Sequence, residues 1–150
     1  MLKTIDPLLN ADVLHALRAM GHGDDLIVAD ANFPAETCAQ GTVVGRPLRI
    51  DSDVESAVRA ILSLLPIDTF VDDAAGRMAV VDAPDEVPPV QQAVQEVVNA
   101  AHGSSLSLQP IERFAFYERA SRAFAVVQTM ERRFYGCFAF RKGVIAPNED

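Results

Sequence analysis

The feature that most constrains this chain is a repeated switch of hydrophobic period. Short apolar runs alternate with longer stretches in which apolar residues recur every three or four positions. Leu26-Ile27-Val28-Ala29, closed by Asp30, and Arg77 to Val81 read as buried strands. Between them, Val54, Val58, Ile61, Leu62 and Leu65 share one helical face before Pro66 ends the segment. Residues 11–20 form a shorter amphipathic helix with Asn10 as N-cap and Gly21 as stop, and two prolines open a third helix ending at Gly103. The remainder reads as loop with room for a helical turn after residue 31, a strand near 43–50, a strand near 105–111, a helix near 113–122, and strands over 123–128 and 136–141. Strands alternating with helices predict an α/β fold: a layered, largely parallel sheet with flanking helices.

At 150 residues the chain suits one domain, 1–150, with a single sizeable core. Its formal net charge of −8 disfavours nucleic acid and anionic membranes as partners, since both are held by clustered Lys and Arg. The N-terminal stretch has a proline and an aspartate where a secretory signal needs an apolar run, and no segment approaches the ~20 apolar residues of a membrane span. A cytoplasmic location is therefore expected, with Cys38 and Cys137 as free thiols. Without a CxxC or a His/Cys cluster, no metal site is expected.

Three segments carry residues suited to chemistry. In MGHGDDLIVADANFP, His22 follows a helix and Asp30 closes the next strand. Histidine both gives and takes protons near neutrality, and the helix C-terminus together with Asp24 and Asp25 favours its protonated form. Asp30 falls at the carboxyl end of a strand, where α/β sheets commonly bind ligands, and a carboxylate accepts bonds from two sugar hydroxyls. In RFAFYERASRAF, Arg113 and Tyr117 lie one helical turn apart, a donor fork beside a phenol, while Phe114, Phe116 and Phe124 read as core. In RRFYGCFAF, an extended strand puts Tyr135 and Cys137 on one face, with Gly136 open to a ligand; the alternative is an edge strand with a buried cysteine. His15 reads as a surface or core-boundary residue, and His102 as a helix-end histidine complementing the dipole.

Together, MLKTIDPLL, MGHGDDLIVADANFPA, RFAFYERASRAFAVVQTMERRFYG and the closing KGV resemble the family of ribose pyranase and fucose mutarotase, nearer its fucose branch. The resemblance implies an RbsD-like fold, a free monosaccharide as substrate, no cofactor, and a ring-shaped homo-oligomer, pentamer or decamer, with sites near subunit interfaces. It also implies His22 as general acid/base, with Asp30, Arg113, Tyr117, Tyr135, Gly136 and Cys137 binding the sugar. Two positions depart from the pattern: Cys137 stands where the family carries a carboxamide, and Asn32 where fucose-type members often have histidine. Either only the backbone matters at 137, or the sugar preference differs.

The activity so implied is exchange of α and β anomers of L-fucose or a related sugar. It requires deprotonating the anomeric hydroxyl, protonating the ring oxygen, opening and reclosing. Tyr117 is a second candidate proton carrier, a better donor than base because a phenol titrates near 10. Alternatives are a pyranose–furanose exchange through the same open chain, a sugar-binding module associated with transport, and an interaction domain without a ligand.

Overall fold

A computed structural model describes residues 1–148. Six strands form one sheet: β1 (Asp25–Ala29), β2 (Leu48–Arg49), β3 (Ala75–Met78), β4 (Gln109–Ile111), β5 (Ala125–Gln128) and β6 (Phe138–Arg141), in the order β2-β5-β1-β6-β3-β4. β2 and β1 run parallel to β5, and β4 runs parallel to β3. β6 is antiparallel to both β1 and β3, so five strands share one direction and one central strand opposes them. The expectation of a largely parallel sheet holds with that exception. β6 is central, which rules out an edge strand at Cys137.

Period-two alternation splits the sheet into two faces. Leu26, Val28, Val127, Phe138 and Phe140 point to one side, against α1 (Ala11–Ala19), α3 (Val54–Leu62) and α4 (Pro89–His102). Ile27, Ala29, Val126, Cys137 and Ala139 point to the other, against α2 (Ala35–Ala39) and α5 (Arg113–Ser121). The result is a three-layer sandwich whose central strands β1 and β5 are buried on both sides, which explains their apolar runs.

Helix starts follow their capping residues. The Asn10 side chain accepts from Val13 N and the Asp53 side chain from Ser56 N, each satisfying an amide without a partner in the first turn. α1 ends at Met20, and Lys142 Nζ donates to the carbonyls of Leu17 and Met20, adding a cation at the negative helix end.

Several strands are shorter than sequence patterning implies. Pro47 and Gly45, at φ 74°, confine β2 to two residues. β3 starts at Ala75 and leaves the sheet after Met78, where Asp82 turns the chain at φ 62°. β4 contains Pro110, which an edge strand tolerates because one side of its backbone needs no partner.

Candidate active site

The carboxyl ends of β1 and β3, the start of α5 beyond β4, and the approach to the opposing β6 converge on one cleft. Asp30, Asn32, Phe33, Met78, Arg113, Tyr117, Phe134, Tyr135 and Cys137 line it, around a volume of about 240 Å³. That is below the roughly 300–1,000 Å³ of pockets for drug-sized ligands and suits a single sugar ring. A larger concavity of about 500 Å³ between α3 and α4 includes Glu55, Arg59 and Leu62 and none of the candidate residues. Size therefore does not locate the chemistry here.

Asp30 is only 5% exposed, and each carboxylate oxygen has a single protein donor: Oδ1 accepts from Asn32 N at 2.9 Å and Oδ2 from the Cys137 thiol at 3.3 Å. Burial, reinforced by the Asp30 charge, holds the Cys137 thiol well above its usual range, so Cys137 stays a neutral donor. Cys38 and Cys137 are both buried and free.

Tyr135 does not extend β6 as its sequence suggests. It sits at φ 64°, in the left-handed region that costs a non-glycine residue of order 1–3 kcal/mol, and the chain turns there before the strand begins at Phe138. Its carbonyl accepts from Gln91 Nε2 at 3.0 Å and its hydroxyl from Val81 N at 3.3 Å. Gly136 is packed tightly against its own chain. A Cβ there would lie 2.9 Å from Glu131 Cγ and 3.4 Å from Asp30 Cβ, so close packing of protein against protein is what requires glycine.

Arg113 and Tyr117 reach the cleft together, as their spacing predicts. Glu112 caps α5, accepting from Phe114 N and Ala115 N, and those amides hold its carboxylate below the usual range. The Arg113 guanidinium lies 4.7 Å from the Phe114 ring centroid, and its Nε is buried without a hydrogen-bond partner. Phe116 is core, Phe124 is partly buried, and Phe114 is exposed instead of joining them. The charged residues of α5 are only partly solvated. Arg119 folds in to clamp Asp25 at 2.7 and 2.9 Å, and Arg141 approaches the same carboxylate.

His22 is absent from this cleft. It precedes β1 while Asp30 follows it, so the five residues of the strand, roughly 16 Å at 3.3 Å per residue, separate the two. At its own edge His22 Nε2 lies 3.1 Å from Oδ2 of the buried Asp68, and its ring packs edge-on against Phe70. The Phe70 amide, which donates to Asp68 at 2.9 Å, and then His22 hold that carboxylate below its usual range, so it is ionised at neutral pH. The acidic neighbours expected for His22 turn elsewhere: Asp24 accepts from Gly21 N, and Asp25 is taken by the two arginines. His15 is exposed. At the end of α4, burial lowers the pKa of His102, leaving it neutral rather than a cation for the helix dipole.

Sequence reasoning misses Asp68, Phe33, Met78 and Phe134. Phe33 lies within the ANFP string, but Asp68 belongs to no recognisable motif and meets His22 only through the strand order. Among the described residues, no group of three or more His, Cys, Asp or Glu is arranged to hold a metal ion, and no helix is long and apolar enough to cross a membrane.

Comparison with known proteins gives a consistent relationship over the whole chain. The sequence profile of the RbsD / FucU transport protein family matches residues 3–145. Human fucose mutarotase is 41% identical over 153 residues, 98% of this chain and 96% of its own, and L-fucose mutarotase of Histophilus somni is 37% identical over 145 residues, 96% and 97%. The crystal structure of protein Atu2016 superposes with a TM-score of 0.94 at 56% identity, covering 97% of each chain. The fucose mutarotase of Streptococcus pneumoniae in complex with L-fucose gives 0.86 at 32% identity, covering 97% of this chain and all of that one. Bacillus subtilis RbsD complexed with D-ribose, at 18% identity and a TM-score of 0.68, shares the fold. Profile, full-length identity and superposition agree that the chain belongs to the RbsD / FucU family.

Proposed function

We propose that this protein is a mutarotase exchanging the α and β anomers of a free monosaccharide, L-fucose or a close relative, with the cleft binding the sugar and His22 moving protons. The observation that carries this reading is the cleft itself. It assembles a buried carboxylate, an arginine and two phenols against an apolar wall of Phe33, Met78 and Phe134. Asp30 offers acceptors to sugar hydroxyls, and a sugar oxygen would satisfy the Arg113 Nε that lacks a partner. The apolar wall suits the methyl group of a 6-deoxy sugar. The names of the full-length relatives support the same activity and substrate class.

His22 enters through assembly. Its edge of the sheet exposes Phe70 (71%), Val71 and Val144, while the cleft edge exposes Phe134 (76%), Phe114 and Val81. Two different apolar surfaces at opposite ends of one sheet are what a head-to-tail contact between copies requires, and such a contact generates a ring when its rotation closes. In that arrangement His22 of the partner subunit faces the cleft. With Asp68 ionised and accepting from Nε2, the imidazole proton is held there, which leaves Nδ1 as the base for the anomeric hydroxyl. The protonated ring can return that proton after the C–O bond opens. Tyr117, a phenol in the cleft, is the donor to the ring oxygen and recovers its proton on reclosure.

The test is NMR saturation transfer between the α and β anomeric protons of L-fucose. Exchange should speed up with catalytic amounts of protein and fall by about 10²–10⁴-fold in His22→Ala. Faster exchange of D-ribose ring forms with none for L-fucose would make the protein a pyranase, and saturable sugar binding without rate enhancement would make it a binding module.

A further inference from the structure

Two polar residues lie outside the cleft, deep in the protein, and take no part in the mechanism above. Gln91, in the first turn of α4, is completely buried, and Arg77, on β3, is 5% exposed. Arg77 Nη1 donates to Gln91 Oε1 at 3.0 Å and to the carbonyl of Glu86, and Nη2 donates to the carbonyl of Pro84. A buried guanidinium spending its hydrogen bonds on neutral oxygens is costly, and burial lowers its pKa, with only Asp85 pulling the other way. Such an arrangement persists where the geometry it enforces is worth the cost.

The geometry it enforces ends at Tyr135. With its oxygen taken by Arg77, the Gln91 carboxamide turns both N–H bonds toward the sheet, to Met78 O at 2.7 Å and Tyr135 O at 3.0 Å. Met78 in turn donates its amide to Cys137 O at 3.0 Å. The two carbonyls held by Arg77 belong to the 79–88 loop, and that loop supplies the Val81 amide that donates to the Tyr135 hydroxyl. Tyr135 is therefore gripped at its backbone by Gln91 and at its phenol by the loop Arg77 fixes, in a left-handed conformation that an aromatic residue does not adopt unaided. Because its oxygen accepts from Val81, the phenol's own proton remains to donate into the cleft.

We propose that Arg77 and Gln91 are positioning residues that set Tyr135, and with it Met78 and Cys137, for sugar binding; this rests on the mutarotase reading for its kinetic consequence but not for its structural one. Gln91→Leu keeps the volume while removing all three hydrogen bonds. It should raise the KM for L-fucose about tenfold, the loss of roughly one hydrogen bond, with a smaller change in kcat. A merely destabilising substitution would act equally in any background. Here the effect should largely disappear in Tyr135→Phe, so that the double variant is little worse than Tyr135→Phe alone. The second readout needs no activity: amide exchange of Val81, protected in the wild type, should accelerate in both Gln91→Leu and Tyr135→Phe. Unchanged KM and Val81 protection in folded Gln91→Leu would overturn the proposal, as would full additivity with Tyr135→Phe. A wild-type protein that fails to accelerate anomer exchange would sink the mutarotase reading instead, leaving the Val81 measurement to decide the positioning.

Discussion

The proton transfer proposed for His22 depends on a residue 46 positions away. Asp68 is buried, ionised and bonded to the imidazole, so it fixes the tautomer on which the proposed proton transfer depends. Asp68→Asn keeps the shape and removes the charge. It is expected to lower the rate of L-fucose anomer exchange by about 10- to 100-fold while leaving sugar affinity near wild type, because Asp68 contacts the imidazole and not the residues that line the cleft. Rates from saturation transfer, with calorimetric titration for affinity, separate the two effects. Individual residues were legible in the sequence to unequal degrees. Asp30, Arg113, Tyr117, Tyr135 and Cys137 do meet in one cleft. Tyr135 meets it through a left-handed turn, which no strand pattern announces, and Gly136 serves packing against Glu131.

Among elements, helices follow their patterns closely and strands less so, for a physical reason. A helix satisfies its own backbone and is bounded by caps that the sequence displays, such as Asn10 and Asp53. A strand's length depends on its neighbours: β3 ends where β6 has only just begun, and β6 runs against the rest of the sheet for reasons of connectivity that periodicity does not carry. The segment from β5 to β6 is tied down by Glu131, which receives Arg133 through paired nitrogens and reaches the Val54 amide at the start of α3. Arg133 first, with backbone amides assisting, holds the Glu131 carboxyl at about 2. A carboxylate depressed on folding adds stability above its unfolded pKa and loses it as pH falls through the folded value. Stability from this pair should therefore decline from about pH 4.5 to pH 2. Thermal melts across that window should show a wild-type Tm falling more steeply than that of Glu131→Gln, and parallel slopes would deny Glu131 this role.

For the whole molecule, one sheet carries the cleft and the His22–Asp68 pair at opposite ends of its strands. β1 separates them, and exposed aromatic residues surround each, Phe70 at one and Phe134 at the other. Sequence alone associates His22 with Asp30 by proximity along the chain; the fold separates them, and the proposed function requires a neighbouring copy to reunite them.

The most direct test of this account is complementation between two damaged copies. His22→Ala retains the cleft and Arg113→Ala retains the His22–Asp68 pair, so each alone should leave L-fucose anomer exchange near the uncatalysed rate. Co-expressed in equal amounts, they should form mixed rings in which about one interface in four joins an intact cleft to an intact histidine, and saturation transfer should recover about a quarter of wild-type activity. A mixture no more active than its parts would contradict a site shared between neighbouring copies, and full activity in His22→Ala alone would contradict the proton-transfer role of His22.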